Sequence, residues 1–61
     1  MFLPKDPNML LSVVNTGLRD HYSDLQELAA AAGIDVRQIT EPLEKAGFRY
    51  DEALNRFLKR D

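Results

Sequence analysis

The sequence contains no cysteine and no tryptophan, and His21 is its single histidine. Without cysteine, neither a disulfide framework nor a thiolate site is available. A zinc site would have to combine one imidazole with carboxylates alone, and no spacing such as H-E-x-x-H is present. The composition therefore argues against disulfide-stabilised folds, metal centres and thiol chemistry, and no cofactor is predicted.

Long apolar runs are also missing. No stretch approaches the roughly 18 consecutive apolar residues of a membrane span. The first ten residues include Asp6 and two prolines ahead of any apolar run, unlike a targeting peptide. We therefore predict a soluble, cytoplasmic protein without a membrane partner.

The chain has 61 residues, which allow one domain (1–61) with a thin core. A net charge of −2 argues weakly against general binding of polyanions. The charge is uneven, however: residues 1–36 carry two basic and five acidic side chains, whereas residues 45–60 carry five basic and two acidic ones. The C-terminal part is the region expected to attract anions.

Residues 1–5 are predicted to form an extended lead-in, because Pro4 disfavours a helical residue before it. Asp6 followed by Pro7 is typical of a helix start, and we expect three helices within residues 6–47. The apolar stripe of the first helix comprises Leu10, Leu11, Val14, Leu18 and Tyr22. Gly17 interrupts this helix and is interpreted as a tolerated defect rather than as a close approach of another backbone.

Residues 23–48 predict two more helices separated by one glycine. Ser23, with Gln26 three residues later, is typical of a capping box that starts the second helix. Gly33 is expected to end it, because glycine adopts positive φ at low cost. The inward residues of this helix follow helical spacing: Leu25, Leu28, Ala29 and Ala32.

The third helix is predicted from Val36 towards Ala46. Asp35 caps it in this interpretation, with Gln38 reaching back to the cap. Pro42 lies inside the helix and deletes one backbone hydrogen bond, at a cost of about 3 kcal/mol unless the helix bends. We therefore expect either a kink or a late start near Thr40.

Residues 48–61 are compatible with two structures. In the first, runs 48–50 and 56–58 are short strands joined by a turn at 51–55, which gives a hairpin. In the second, Asp51 caps a fourth short helix. The buried stripe of that helix would be Leu54, Phe57 and Leu58. Phe57 is buried in both cases and is expected to close the three-helix core.

Two resemblances support this fold. The spacing of the apolar residues around Gly33 resembles the bacterial helix-turn-helix pattern, which would make the hairpin wing-like. Over its whole length the chain resembles an uncharacterised family of small, roughly 60-residue bacterial proteins that begin with a segment like PKDPNMLLSVVNTGLRDHYSDL. The family's C-terminal pattern is matched here by Phe48, Tyr50, Asp51, Asn55 and Phe57, and it favours the hairpin. The resemblance implies no activity.

Catalytic constellations are not apparent. Ser12 and Ser23 have no base at a suitable spacing. Asp51 and Glu52 are adjacent, so their carboxylates diverge on a strand or a helix and do not form an acid/base pair. The three glycines are too far apart to form a phosphate-binding loop. We therefore predict a protein that is not an enzyme and has no small-molecule substrate.

Two binding hypotheses remain. The favoured one is an interaction module that binds a protein partner or itself, through the LLSVVN face (residues 10–15) or the aromatic C-terminal segment. The alternative is nucleic-acid binding, with the third helix in the major groove and the basic C-terminal segment on phosphates. Its candidate contacts are Arg37, Gln38, Thr40, Arg49, Arg56, Lys59 and Arg60. Acidic residues on the third helix weaken this alternative.

Overall fold

Three helices followed by an antiparallel hairpin make up the chain, in a computed structural model that describes residues 3–60. The elements are α1 (Pro7–Asp20), α2 (Leu25–Ala32), α3 (Arg37–Lys45), β1 (Phe48–Asp51) and β2 (Arg56–Lys59). The start of the predicted lead-in (1–2) and the last residue of the predicted tail (61) lie outside the described residues. The predicted fold class is confirmed, with the hairpin and not a fourth helix at the C-terminus.

α1 is the central element, because α2, α3 and β2 all pack against it. Its buried stripe joins residues from the other three elements in one apolar cluster. The buried members of that cluster are Leu10, Val14, Leu18, Leu25, Leu28, Ala29, Ile39, Leu43 and Phe57. Within residues 3–60 no helix is both long enough and apolar enough to cross a membrane.

The start of α1 is as predicted, whereas the start of α2 is not. The Asp6 carboxylate accepts from the N–H of Asn8 at 2.8 Å, and Pro7 occupies the first turn. At α2 the cap is Asp24, which accepts from the N–H of Glu27 at 2.8 Å. The predicted Ser23–Gln26 pair is therefore wrong by one residue. A carboxylate at this end of a helix also interacts favourably with the helix dipole, which a serine hydroxyl does not.

α3 begins at Arg37, one residue after the predicted Val36, and both Asp35 and Gln38 make hydrogen bonds at its start. Asp35 accepts from the N–H of Arg37 at 2.8 Å, and Gln38 Oε1 accepts from the N–H of Asp35 at 3.0 Å. The helix then continues through Pro42 to Lys45, so a late start near Thr40 is wrong. Ile39 and Leu43, one on each side of the proline, are both fully buried. Their burial, worth about 1.5–3 kcal/mol each, offsets the missing hydrogen bond.

Two glycines have distinct roles. Gly33 ends α2 at a φ of 72°, as predicted, and the N–H of Ile34 then bonds to the carbonyl of Ala29. Gly17 is buried inside α1, and a Cβ there would lie 3.0 Å from Cδ1 of Leu28 on α2. Gly17 therefore lets a side chain of α2 pack against α1, rather than being a tolerated defect.

The hairpin pairs β1 and β2 residue for residue, with Arg49 opposite Leu58 and Tyr50 opposite Phe57. In the turn, the Asp51 carboxylate accepts from the N–H of Leu54 at 3.0 Å. Phe57 is only 2% exposed. The helical propensity of residues 51–54 is overridden by tertiary contacts, since β2 packs against α1.

Candidate functional site

The side chain of Asn15 joins α1 to the hairpin. Its Nδ2 donates to the carbonyl of Phe57 at 3.1 Å, and its Oδ1 accepts from the N–H of Phe57 at 2.8 Å. These two bonds satisfy both main-chain groups of a strand residue, as a neighbouring strand would. Asn15 therefore covers the outer edge of β2 at the point where Phe57 enters the core.

Asn55 makes a second connection between the same two elements. It has a φ of 53°, a conformation that asparagine tolerates better than most residues. Its Nδ2 donates to the carbonyl of Leu18 at 3.1 Å and lies 3.3 Å from that of Tyr22, at the end of α1. The Tyr50 hydroxyl donates in turn to Asn55 Oδ1. The end of α1 is thus capped by the turn of the hairpin.

The aromatic pair under the hairpin completes this contact. The rings of Tyr50 and Phe57 lie 5.4 Å apart in a tilted arrangement. Burial raises the pKa of the Tyr50 hydroxyl, an effect that a hydrogen bond with the backbone of Leu25 partly opposes. Together with Asp51 in the turn and Asn55, these residues account structurally for most of the C-terminal pattern noted in the sequence. That pattern holds the hairpin on α1.

The two edges of the hairpin differ. Because Phe57 directs its main-chain N–H and C=O at Asn15, these groups point away from β1. Tyr50 is directly opposite Phe57, so its main-chain groups point away from β2. The main-chain groups of Phe48 point the same way, because the direction repeats every two residues along a strand. Within residues 3–60, no hydrogen bond engages these four groups. The edge of β1 is therefore open, whereas the edge of β2 is covered at Phe57.

A recess borders β1 at Tyr50. It has a volume of about 320 Å³ and lies between the strand and the start of α2, with Asp24, Tyr50 and Glu52 in its lining. A second recess, of about 610 Å³, is lined by residues of both strands, including Tyr50 and Lys59, and so lies on the hairpin itself. Next to Tyr50 the space between β1 and α2 is therefore a recess and not a packed contact.

The outward face of the hairpin is charged. Because side chains alternate along a strand, Arg49 and Asp51 point away from the core, as do Leu58 and Arg56 across from them. Within residues 3–60 the ion pairs are Arg19–Asp20 and Arg37–Asp35, so neither Arg49 nor Arg56 is in an ion pair there. This face carries two exposed guanidinium groups and one half-buried carboxylate.

The predicted nucleic-acid contacts at the start of α3 are engaged within the domain. Arg37 lies 3.4 Å from the Asp35 carboxylate, although both side chains are exposed. The bond from the Arg37 N–H, and then the guanidinium itself, lower the pKa of Asp35. Gln38 Oε1 is taken by the cap of the helix, and Thr40 is half-buried. The Arg37 ion pair is exposed and costs little to break, whereas a base contact through Gln38 Oε1 would remove its bond to the start of α3.

The remaining predicted contacts are all exposed but do not form one cluster. Arg49 and Arg56 lie on the outward face of the hairpin, Lys59 on the opposite face and Arg60 beyond the end of β2. Exposed Glu41 and Glu44 are present on α3. In addition, α2 and α3 each pack more closely against α1 than against each other.

Other predicted surfaces are largely used by the fold. Leu10 and Val14 of the LLSVVN face are in the core, as is Phe57 of the aromatic segment. A groove of about 420 Å³ remains where the lead-in meets the three helices, lined by Pro4, Ile34 and Pro42 among others. His21 is exposed and lies edge-on to Tyr22. Within residues 3–60, no cluster of three or more potential metal ligands occurs.

These features define a small three-helix domain whose C-terminal hairpin is held on α1 by asparagine and aromatic side chains. The chain belongs to the family described as a domain of unknown function, DUF4250, whose model matches residues 4–57. A search of curated proteins found no match. A search of solved structures likewise found none. The predicted membership of an uncharacterised small family is confirmed.

The open edge of β1 was not predicted from the sequence. Asn15 lies at the border of the apolar stripe of α1, and only its contact with Phe57, 42 positions away, shows that it covers a strand edge. The Asn55–x–Phe57 spacing was visible, but its partners at the end of α1 were not. The available signal was Asn15 itself, a polar residue at the border of the apolar stripe of α1.

Proposed function

We propose that this domain is a non-enzymatic interaction module that binds a protein partner or a second copy of itself. The observation that supports it most is the open edge of β1, with the main-chain groups of Phe48 and Tyr50 free beside accessible space. Such an edge can add a strand from another chain, which is a common mode of peptide recognition. On the other edge of the same hairpin, Asn15 takes up both main-chain groups of Phe57, so within residues 3–60 the longer run of free groups is on β1.

Nucleic-acid binding is the competing proposal. It is favoured by Arg49 and Arg56, exposed on one face of the hairpin. It is opposed by the exposed glutamates on α3 and by the use of Gln38 Oε1 at the start of that helix. With few phosphate contacts available, such binding would weaken steeply as salt rises.

The test of the proposed function compares three synthetic proteins: wild type, a form with an N-methyl group on the amide of Tyr50, and one with the same group on Lys59. The first substitution removes an N–H from the open edge and keeps the side chain. The second removes an N–H that points away from β1 on the opposite edge. Each protein is measured by light scattering over a range of concentrations and by selection from a displayed library of extended peptides.

We expect wild type and the Lys59 form to self-associate or to select peptides, and the Tyr50 form to do neither. A parallel titration with DNA and RNA, at several salt concentrations, tests the competing proposal. Nanomolar nucleic-acid binding with a steep negative salt slope, without self-association or peptide selection, would overturn the proposed function. Equal behaviour of the Tyr50 and Lys59 forms would remove the open edge as its basis.

A further inference from the structure

We propose that the occupant of the open edge is a second copy of this chain, paired antiparallel through β1 with Tyr50 opposite Tyr50. This inference rests on the proposed function and specifies its partner. It follows from the order of the four residues of β1, Phe48–Arg49–Tyr50–Asp51, and from which of them present free main-chain groups.

The order of charges in β1 is self-complementary. Arg49 and Asp51 lie two residues apart on the outward face, one on each side of Tyr50. When two such strands pair antiparallel around Tyr50, Arg49 of each copy lies opposite Asp51 of the other. Opposite charges at directly facing positions stabilise a strand pair, and like charges destabilise it.

The neighbouring registers lack this match. A shift of the partner strand by two residues towards Phe48 centres the pair on Arg49 and places two guanidinium groups opposite each other. The register centred on Tyr50 instead lets the N–H and C=O of Tyr50 in the two copies exchange two main-chain hydrogen bonds. Charge therefore selects one register among those that the free main-chain groups allow.

The charges on β2 reinforce this choice. Arg56 is opposite Asp51 in the hairpin, yet within residues 3–60 the Asp51 carboxylate accepts only from the N–H of Leu54 and is in no ion pair. In the paired form, the sheet order is β2–β1–β1–β2, and each Asp51 lies between Arg56 of its own chain and Arg49 of the other. Each carboxylate thus faces two guanidinium groups, one from each chain.

The experiment uses two charge-reversed variants, Arg49→Asp and Asp51→Arg, alone and mixed in equal amounts. Alone, each variant places like charges opposite each other at both positions of the paired form. In the mixture, one copy of each restores both opposite-charge pairs. Association is measured by sedimentation equilibrium over a wide concentration range, with circular dichroism to establish that each variant is folded.

We expect each variant alone to dimerise roughly tenfold or more weakly than wild type, since two pairs of opposite charges become pairs of like charges. The mixture should recover to within about threefold of wild type, by the same pairwise energies. Arg60→Asp is the matched control for Arg49→Asp: it makes the same change in net charge at an exposed position beyond β2 and should have a smaller effect.

Three outcomes would overturn this inference. Wild type that stays monomeric to millimolar concentration excludes the second copy as occupant. If such a monomer still selects peptides that the N-methyl-Tyr50 form does not, the proposed function stands and only its partner changes. Dimerisation that is unaffected by the reversals, or a mixture no tighter than its components, excludes the Tyr50-centred register while leaving self-association in place.

Discussion

The helices and the hairpin are specified in different ways. Each helix start in residues 6–47 is fixed by hydrogen bonds between groups two to four positions apart, such as Asp6 with Asn8 and Asp24 with Glu27. The hairpin is fixed on α1 by bonds that span 33 to 42 positions, through Asn15 and Asn55. Loss of a local contact should therefore weaken one helix end, whereas loss of a long-range contact should detach the hairpin from α1.

The largest effect is expected for Phe57→Ala. Phe57 is the buried side chain that β2 contributes to the core, and deleting a buried phenylalanine costs about 3–5 kcal/mol. In a domain of this size that loss is comparable to the whole stability. Chemical denaturation followed by circular dichroism measures it. Leu58→Ala is the control, because Leu58 is adjacent to Phe57 but faces outward and is only half-buried. Equal losses for the two variants would mean that the hairpin does not close the core.

Asn15→Ala should have the next largest effect. It leaves the N–H and C=O of Phe57 without partners, at a cost of about 1–3 kcal/mol. Ser12→Ala is the matched control. Ser12 is exposed and lies one turn earlier on α1, and its substitution also replaces a polar residue by a better helix former. Hydrogen exchange at the Phe57 amide should rise in Asn15→Ala alone. An unchanged exchange rate would contradict the role of Asn15 as the cover of β2.

A smaller effect distinguishes the predicted cap of α2 from the observed one. Asp24→Ala should cost about 1 kcal/mol, because it removes the acceptor for the Glu27 N–H. Ser23→Ala should change the free energy of unfolding very little, because the Ser23 hydroxyl makes no hydrogen bond within residues 3–60 and its N–H bonds to Glu27 in either case. The reverse order of the two losses would restore the cap predicted from the sequence.

This contrast explains which features the sequence could predict. The caps at Asp6 and Asp35 and the end of α2 at Gly33 depend on near neighbours, and residue types at fixed spacings reveal them. The cap of α2 was displaced by one because two residues with capping side chains, Ser23 and Asp24, are adjacent. The choice between hairpin and helix could not be made from local propensity, because the deciding contacts of Phe57 and Asn55 are with α1.

The open edge of β1 could not be predicted for a related reason. An edge is defined by what lies beside a strand, and here α1 covers one side through Asn15 and leaves the other free. Strand patterns in the sequence are the same for both edges. The charged pair Arg49 and Asp51 was visible, but it was assigned to phosphate contact or to a turn, because the pairing that places the two side chains on one face was unknown.

The smallest predicted effect is a dependence of stability on alkaline pH that arises from Tyr50. Burial raises the pKa of its hydroxyl above the ordinary tyrosine value of about 10, so the folded chain holds this proton more tightly than the unfolded chain. Above about pH 10 the unfolded state therefore binds fewer protons than the folded state, and the free energy of unfolding falls as the pH rises. The contribution is complete below about pH 10 and is lost as the pH rises through the folded pKa.

Denaturation at a series of pH values from 8 to 11 measures how steeply the free energy of unfolding falls with pH. Tyr50→Phe isolates the part due to Tyr50, because this variant keeps the ring against Phe57 and removes the titrating group. The variant should be less stable at neutral pH, where it lacks the bond to Asn55, and should lose stability less steeply above pH 10. Parallel curves for the two proteins would show that Tyr50 titrates alike in the folded and unfolded chains, and that the contact between the hairpin and the end of α1 is open to water.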